Sequence, residues 1–285
     1  MNKPILAVVH IYYPEMWDEL KSCLNNITLP YDLYVTTVEQ NRYLQDDVMN
    51  FKTGAHFEVV ENRGYDVGPF VHIINQVNLD DYSYIVKLHT KRELAIGNTG
   101  FRGLDGQKWR ETLLSFIKTP DVFNQYLKAF DVNKKIGMQA NHHVIVHYDF
   151  FDEQAQKEIK AYFQKNRLPK RKYAFVAGTM FIAKASVFKD IQNLHLTFSD
   201  FPDPKGEHKT QLAHIIERLF GYFVYKNGFI VRDSLITSET EQKYHKKEYI
   251  KMKLTYPIIR FFYQKKITKS GKVIIKICKI PVYRK

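Results

Sequence analysis

Two short segments of the chain carry residues suited to holding a diphosphate. Residues 62–70 read Asn-Arg-Gly-Tyr-Asp-Val-Gly-Pro-Phe, and residues 84–91 read Tyr-Ile-Val-Lys-Leu-His-Thr-Lys. Each segment follows or forms a short apolar run that is typical of a buried strand. A strand that opens into a glycine-containing turn and then a helix lets backbone N–H groups approach phosphate oxygens. The first segment therefore predicts backbone contacts to a diphosphate.

The second segment ends in positive side chains rather than carboxylates. Lys87, His89 and Lys91 occupy alternate positions, and Arg92 follows them. Side chains at alternate positions of a regular strand share one face, so Lys87 and His89 are expected on the same side. Positive groups beside a departing diphosphate stabilise the charge that grows on it, as a metal ion does elsewhere. This segment therefore predicts a diphosphate site that needs no metal ion.

The elements that must position these residues alternate along the first third of the chain. The sequence predicts strands over residues 5–10, 33–37, 57–60 and 83–89, and helices over residues 15–25, 40–50 and 69–78. Strands that alternate with helices at this spacing indicate βαβ units and a mostly parallel sheet. Ligands of such sheets bind at the carboxyl ends of the strands. Both segments lie at that edge.

The second half adds a second set of candidate residues. The sequence predicts helices over 106–115, 122–129, 153–166 and 210–224, and strands over 135–140 and 175–184. Gly178 interrupts the strand over 175–184, and an interior glycine of a strand often marks a bulge or the close approach of a ligand. The helix over 210–224 has an apolar stripe, and His214 and Glu217 lie beside it.

The net charge of +13 is concentrated in one segment. Residues 243–285 contain 14 Lys or Arg and one acidic residue, which accounts for the whole excess and leaves residues 1–242 neutral. Within residues 272–280, three lysines fall on one helical face and apolar residues cover the rest. A basic amphipathic helix of this kind lies on an anionic membrane surface. An edge strand or a helix packed on the body is the alternative.

The remaining composition fits a cytoplasmic protein. The two cysteines, Cys23 and Cys278, offer neither a disulfide framework nor a zinc-binding spacing. No apolar stretch reaches the ~20 residues that a membrane-spanning helix requires. We therefore expect a cytoplasmic protein that is peripheral on the inner face of the cell membrane through residues 243–285.

A combination of motifs resembles the rhamnan synthesis protein F family over about residues 5–235. The resemblance is carried by His10 and Tyr12, residues 62–70, residues 87–91, Trp109 with Arg110, residues 175–181 and residues 213–221. The family comprises bacterial glycosyltransferases of cell-wall, capsule and O-antigen polysaccharide assembly. The resemblance implies an α/β GT-A-like, Rossmann-type fold with a mostly parallel sheet flanked by helices. It also implies a nucleotide-sugar donor, such as a dTDP- or UDP-sugar carrying rhamnose or another hexose, and a lipid-linked glycan acceptor.

The resemblance also suggests roles for individual residues. Inverting GT-A transferases carry an acidic residue about a dozen positions before a glycine that starts the last core strand, and Glu217 precedes Gly228 in this way. Glu217 is therefore the expected catalytic base, with His214 one turn earlier on the helix. The expected donor-binding residues are His10, Asn62, Arg63, Gly64, Asp66, Lys87, His89 and Lys91. The expected acceptor-binding residues are Trp109, Gly178 and Thr179.

The chain departs from GT-A transferases at the usual metal motif. Where those enzymes show Asp-x-Asp, residues 87–89 read Lys-Leu-His. We therefore expect no required cofactor other than the donor, no metal site, and doubtful metal dependence. We expect one glycosyltransferase domain over residues 1–242, with a nucleotide-sugar-binding half over 1–100 and an acceptor-binding half over 101–242, and a membrane-associating tail over 243–285.

Several alternatives stay open from the sequence. Asp66 could simply cap the helix that follows it, and Gly64 could serve only a tight turn. Glu217 and Arg218 could form a structural ion pair, and Gly178 could serve packing alone. A nucleic-acid-binding protein that uses the basic tail, or a non-catalytic scaffold of a polysaccharide complex, are the alternative functions. We expect no nucleic acid partner, because the basic residues lie outside the segment that carries the motifs.

Overall fold

A computed structural model describes residues 4–92, 106–148, 153–202, 212–250, 263–267, 273–277 and 280–284. The chain divides into two compact units. The first unit contains Met1–Lys91 and Thr112–Leu235, and the second contains Arg92–Glu111 and Ile236–Lys285. Within the described ranges, no helix is both long enough and apolar enough to cross a membrane.

Strands and helices alternate from β1 to β4 of the first unit, as predicted. The strands are β1 (Ile5–Ile11), β2 (Tyr31–Thr37), β3 (His56–Val59), β4 (Tyr84–His89), β5 (Ile136–Gln139), β6 (Ile145–His147), β7 (Ala174–Val176), β8 (Phe181–Lys184) and β9 (Ile230–Arg232). The helices are α1 (Trp17–Leu24), α2 (Gln45–Phe51), α3 (Val67–Gln76), α4 (Gly106–Leu114), α5 (Pro120–Val132), α6 (Glu153–Lys165), α7 (Lys189–Gln192) and α8 (Leu212–Lys226), and the residues of α4 are divided between the two units. Short 3-10 turns at Pro14–Met16 and Glu39–Leu44 precede α1 and α2.

A seven-stranded sheet has the order β3-β2-β1-β4-β8-β5-β9. β8 is antiparallel to both of its neighbours, β4 and β5, whereas the other pairs are parallel. The predicted Rossmann-type α/β fold, a mostly parallel sheet with flanking helices, is therefore confirmed. The chain runs from β1 outward to β2 and β3 on one side and returns to β4 on the other. The carboxyl ends of β1 and β4 consequently form the switch point at which ligands of open α/β sheets bind.

The strand predicted over 175–184 is two strands in two different sheets. β7 pairs with β6 in a separate two-stranded sheet, and β8 joins the main sheet. The chain reverses between them because Gly178 and Thr179 both have left-handed backbone conformations, with φ of 84° and 52°. Glycine adopts this conformation freely, whereas a β-branched residue does so at a cost. Gly178 therefore marks a tight turn between two sheets rather than a bulge within one strand.

An aromatic cluster joins α3 and α8 to the sheet. The Phe70 ring lies 5.2 Å from the Phe188 ring and 5.3 Å from the Phe220 ring, centroid to centroid. Further along α8, Gly221 lets the helix approach β7 closely, because an added Cβ would lie 2.2 Å from the Ala174 carbonyl oxygen. These contacts position α8 against α3 and β7.

The second unit contains a helix and a small antiparallel sheet. Its described elements include α9 (Ser238–Ile250), β10 (Tyr263–Ile267), β11 (Val273–Ile277) and β12 (Ile280–Arg284), with the strand order β10-β11-β12. The helix expected over residues 272–280 was therefore wrong where the structure describes it. β-branched residues at four of the five positions of β11 favour the extended conformation. The expected boundary between residues 242 and 243 falls inside α9, and the one between 100 and 101 lies outside the described residues.

Candidate functional site

Three polar side chains form a row across the carboxyl ends of β2, β1 and β4. Thr36 lies opposite His10, and His10 lies opposite His89. The Thr36 hydroxyl donates to the Val9 carbonyl oxygen at 3.3 Å, and the Nδ1 of His10 lies 3.0 Å from the same hydroxyl. A side-chain hydrogen bond thus joins His10 to Thr36 across the neighbouring strands β1 and β2.

A buried ion pair lies beside this row. Lys87 Nζ donates to Asp66 Oδ2 at 2.6 Å and to Thr179 Oγ1 at 2.8 Å, and the Thr179 hydroxyl donates to the same carboxylate oxygen. The Lys87 side chain is 1% exposed, whereas that of Asp66 is 18% exposed. Lys87 therefore connects the loop before α3 with the turn before β8, and its charge is neutralised by Asp66.

Asp66 is the N-cap residue of α3, but its side chain does not cap the helix. The carboxylate instead turns towards Lys87 and Thr179. One of its oxygens, Oδ1, accepts no hydrogen bond from any residue in the described part of the chain. The capping alternative is thus wrong, and one oxygen of a fixed carboxylate is left at the partly exposed end of the pair.

The loop that presents Asp66 depends on two glycines. Gly64 has φ of 73°, and an added Cβ there would lie 2.7 Å from the Phe201 ring. At Gly68, an added Cβ would lie 2.3 Å from the Arg63 carbonyl oxygen. The Arg63 guanidinium also donates to the Phe201 carbonyl oxygen at 3.3 Å. Gly64 and Arg63 consequently hold the loop in place, and Gly64 serves close packing as well as its turn.

Burial sets the ionisation of the two histidines. Burial lowers the pKa of His10 to about 4, despite the opposing effect of the Asp66 charge. Burial likewise lowers the pKa of His89 well below its ordinary value, again against the effect of Asp66. Both imidazoles are therefore uncharged at neutral pH. His89 is therefore not a positive charge at neutral pH, and its Nδ1 is buried without a hydrogen-bond partner in the described part of the chain.

The Asp66–Lys87 pair stays ionised in spite of its burial. Burial on its own would raise the pKa of Asp66, but the electrostatic interaction with His89, the charge of Lys87 and the hydrogen bonds from Lys87 and Thr179 hold that pKa below its ordinary range. Burial lowers the pKa of Lys87, and the charge and hydrogen bond of Asp66 oppose that shift. For Asp66, the effect of the ion pair on the pKa exceeds the effect of desolvation. The carboxylate accepts two hydrogen bonds and is also attracted by the charge of Lys87.

A second carboxylate lies on the other side of the Gly178–Thr179 turn. Glu217 on α8 accepts a hydrogen bond from the backbone N–H of Gly178 at 2.8 Å, and its Oε2 lies 3.7 Å from Nδ1 of His214. The His214 ring stacks on Tyr65, with 5.8 Å between ring centroids. The Glu217 side chain is 16% exposed, so its carboxylate is oriented by the turn and still reaches solvent.

The structure brings most of the predicted site residues together. His10, Gly64, Asp66, Lys87, His89, Gly178, Thr179, His214 and Glu217 belong to the contacts described above. Asn62 is exposed near the loop, and Lys91 is half-buried just beyond β4. Trp109 lies on α4 among the residues of the second compact unit, and its side chain is buried.

Sequence reasoning missed a further polar cluster at the ends of β5 and β9. The Asp233 carboxylate accepts hydrogen bonds from the Tyr126 hydroxyl at 2.9 Å and from the His142 backbone N–H at 2.9 Å, and it lies 2.8 Å from His142 Nδ1. Burial would raise the pKa of Asp233, but the hydrogen bonds from His142 hold it below its ordinary value. His142 and Asp233 are 91 residues apart and lie in no recognisable motif, so only the pairing of β5 with β9 brings them together.

The described residues of the two units offer no cluster of side chains suited to bind a metal ion. None of the described His, Cys, Asp and Glu side chains forms a set of three or more that could hold a metal ion. The chemistry available at the site is that of a fixed carboxylate, hydrogen-bonding imidazoles and backbone N–H groups near the start of a helix.

The coupling between Lys87 and Asp66 can be measured with a double-mutant cycle. We expect Lys87→Met to lower the free energy of unfolding by about 3 kcal/mol, because it leaves a largely buried carboxylate without its partner. We expect the double variant Lys87→Met, Asp66→Asn to lose less than the sum of the single losses, by about 2 kcal/mol. Urea unfolding of the four proteins gives these values.

The exposed pair Lys134–Asp131 is the matched control. Its two side chains are 74% and 75% exposed, and Nζ lies 2.8 Å from the carboxylate. We expect a coupling energy below about 0.5 kcal/mol for this pair. Equal coupling energies for the two pairs would contradict the assignment of Lys87–Asp66 as the interaction that holds the site together.

The burial of neutral His10 predicts a pH-dependent stability. Between about 4 and 6.5, the unfolded chain binds a proton on this histidine and the folded chain does not, so stability falls as the pH falls through this window. Through one such histidine, the free energy of unfolding changes by at most about 1.4 kcal/mol per pH unit. We expect His10→Gln to make the decline shallower, and the exposed His56→Gln to leave it unchanged, in urea unfolding from pH 4.5 to 7. A wild-type slope in the His10 variant would contradict this.

Comparisons with known proteins agree with the motifs that form the site. The family described as rhamnan synthesis protein F matches residues 1–229. Two curated relatives, both called uncharacterized protein WxcX, come from Xanthomonas campestris pv. campestris strains B100 and ATCC 33913. Each is 26% identical to this chain over 229 residues, which is 78% of this chain and 31% of the relative. The chain thus spans about a third of the length of these relatives. The match covers the loop before α3, the end of β4 and the start of α8, and the chain belongs to the rhamnan synthesis protein F family.

Proposed function

We propose that the chain is a glycosyltransferase that moves a sugar from a nucleotide-sugar donor to a lipid-linked glycan acceptor in bacterial cell-surface polysaccharide synthesis. Family membership supports a role in polysaccharide or rhamnan synthesis. The observation that carries the enzymatic proposal is the position of Glu217. Its partly exposed carboxylate is fixed by Gly178 beside the Asp66–Lys87–Thr179 network, at the sheet edge where ligands of this fold class bind.

The donor is proposed to lie over the ends of β1 and β4. His89 and Lys91 and the backbone N–H groups near Gly64 are the proposed contacts of the diphosphate, at the start of a ten-residue helix. The free oxygen Oδ1 of Asp66 is suited to accept a hydrogen bond from a donor hydroxyl. Lys87 is a positioning residue, because its ammonium is occupied by Asp66 and Thr179.

Glu217 is the proposed general base of an inverting transfer. It takes the proton of the acceptor hydroxyl while that oxygen forms a bond to the anomeric carbon. The bond from the anomeric carbon to the diphosphate oxygen breaks, and the electron pair leaves with the nucleoside diphosphate. The hydrogen bond from Gly178 holds one carboxylate oxygen, which leaves the other to face the acceptor.

The role of Glu217 is tested by Glu217→Gln. The amide oxygen of glutamine keeps the hydrogen bond from Gly178 but cannot take a proton at neutral pH, so we expect transfer to fall by about 10²-fold or more. Binding of the donor, measured by calorimetry, should persist. The exposed Glu39→Gln is the control and should keep wild-type turnover. Full transfer activity in purified Glu217→Gln would rule out Glu217 as the base.

Metal dependence is tested by chelation. Because Lys87 and His89 stand where related folds carry two aspartates, we expect release of free nucleotide from dTDP- or UDP-sugars to continue in the presence of EDTA. Loss of activity on chelation, restored by Mn²⁺ or Mg²⁺, would instead indicate that carboxylates such as Asp66 hold an ion. Tight RNA binding without any donor turnover would favour the nucleic-acid-binding alternative.

We also propose that the basic C-terminal segment attaches the protein to an anionic membrane surface. Residues 251–285 contain 11 Lys or Arg and no acidic residue. Electrostatic attraction to anionic lipid is worth about 1 kcal/mol per basic residue near the surface. Four of these residues, Lys265, Lys266, Lys276 and Arg284, belong to the antiparallel strands β10, β11 and β12.

Truncation after Ile250, where α9 ends, tests this attachment. We expect the full chain to sediment with vesicles that contain phosphatidylglycerol, and to be released as salt rises, because exposed charges are screened beyond ~8 Å at physiological ionic strength. The truncated chain should stay in solution and keep its activity on a water-soluble acceptor analogue. Uncharged vesicles are the control. Sedimentation of a folded truncated chain with the anionic vesicles would contradict the proposal.

A further inference from the structure

A cavity of about 400 Å³ lies in the first unit, between α6 and the segment that follows it. Its lining residues are Tyr148, Gln156, Ile159, Lys160, Phe163, Gln164, Leu168, Lys170, Arg171 and Tyr173. Five of them are aromatic or aliphatic, three are basic, two are neutral amides, and none carries a carboxylate. The lining of the cavity is therefore largely apolar, and all of its charged side chains are positive. None of these residues belongs to the site described above.

The apolar wall is fixed by ring packing. The Tyr173 ring lies 5.6 Å from the Tyr148 ring and 6.2 Å from the Phe163 ring, centroid to centroid. The backbone N–H of Tyr148 donates to the Tyr173 carbonyl oxygen at 3.0 Å. Tyr173 is 4% exposed. The buried Tyr173 ring consequently holds the half-buried rings of Tyr148 and Phe163 beside it, which gives this wall a defined shape.

The basic residues are held on an ordered segment. The backbone N–H of Leu168 donates to the Phe163 carbonyl oxygen at 2.8 Å, which folds the chain back over the end of α6. The Tyr222 hydroxyl donates to the Pro169 carbonyl oxygen at 2.9 Å, and the Arg171 guanidinium donates to the Tyr225 carbonyl oxygen at 3.0 Å. The backbone around Lys170 is thus anchored on both sides.

Two of the three cations are available to a ligand. Lys160 and Lys170 are exposed, and neither side chain forms a hydrogen bond or an ion pair with a residue in the described ranges. Unpaired ammonium groups beside an apolar cavity attract an anion whose adjoining part is apolar, since the charge and the apolar surface are then satisfied together.

We propose that this cavity binds a single-chain lipid phosphate, with part of the chain in the aromatic cavity and the phosphate at Lys160 and Lys170. A phosphate offers several acceptor oxygens to these lysines, and the chain removes apolar surface from water. The site does not depend on Glu217 or on sugar transfer, so a negative result here leaves the proposed transferase activity standing.

Calorimetric titration of the full chain with alkyl phosphates below their critical micelle concentrations tests the proposal. We expect octyl phosphate and decyl phosphate to bind, with an affinity that rises by up to about fourfold per methylene. Decyltrimethylammonium should bind about tenfold more weakly than decyl phosphate, and inorganic phosphate should not bind over the same range. Farnesyl phosphate compared with decyl phosphate shows whether an isoprenoid chain is preferred to a straight one.

Charge reversal identifies the site. We expect Lys160→Glu with Lys170→Glu to weaken decyl phosphate binding by about tenfold or more. Lys165→Glu is the matched control, because Lys165 is an exposed lysine of the same helix that does not line the cavity, and it should keep wild-type affinity. Leu168→Asn should weaken the dependence on chain length without changing the charge. Urea unfolding confirms that each variant is folded.

Two outcomes would overturn the proposal. Equal weakening by Lys165→Glu and by the Lys160 and Lys170 reversals would mean that any basic surface suffices. Binding that does not depend on chain length, or that favours the cationic amphiphile, would mean that the cavity does not hold the chain.

Discussion

The site depends on one buried ion pair. The Lys87 side chain is 1% exposed, and its ammonium group donates hydrogen bonds to Asp66 and Thr179 in place of water. Burying an ammonium group costs several kcal/mol, which a close carboxylate with good hydrogen-bond geometry can offset. The main effect of the ion pair is therefore to hold the loop before α3 against the turn before β8. These segments are more than 100 residues apart in the chain.

Both segments joined by the pair have left-handed backbone. Tyr65 and Thr179 follow glycines and have φ of 54° and 52°. This conformation is unfavourable for residues with a side chain, and it persists where surrounding contacts compensate. The Thr179 hydroxyl is bonded to Lys87 and Asp66, and Tyr65 stacks on His214. The same turn offers the backbone N–H of Gly178 to Glu217, so the ion pair also determines where the proposed base is held.

The sequence predicted the sheet better than the function of the charges in it. Periodicity and turn residues were sufficient for the parallel strands and for the edge where the motifs meet. The sequence could not show that Asp66 would form an ion pair with Lys87, or that burial would keep His89 neutral, because both follow from tertiary contacts. Likewise the basic tail has helical spacing of lysines, but its β-branched residues and hydrogen bonding between strands favour β11.

Recognition of an anionic donor at this edge would rest on oriented dipoles more than on net charge. Asp66 and Lys87 cancel each other, and the histidines at the ends of β1 and β4 are uncharged at neutral pH. Groups held by packing need no reorganisation when charge develops on a departing diphosphate, and this preorganisation is a large source of catalysis. The excess positive charge of the chain lies instead in residues 243–285. The chain thus carries its excess positive charge in a segment that is separate in sequence from the fixed polar groups of its proposed reaction site.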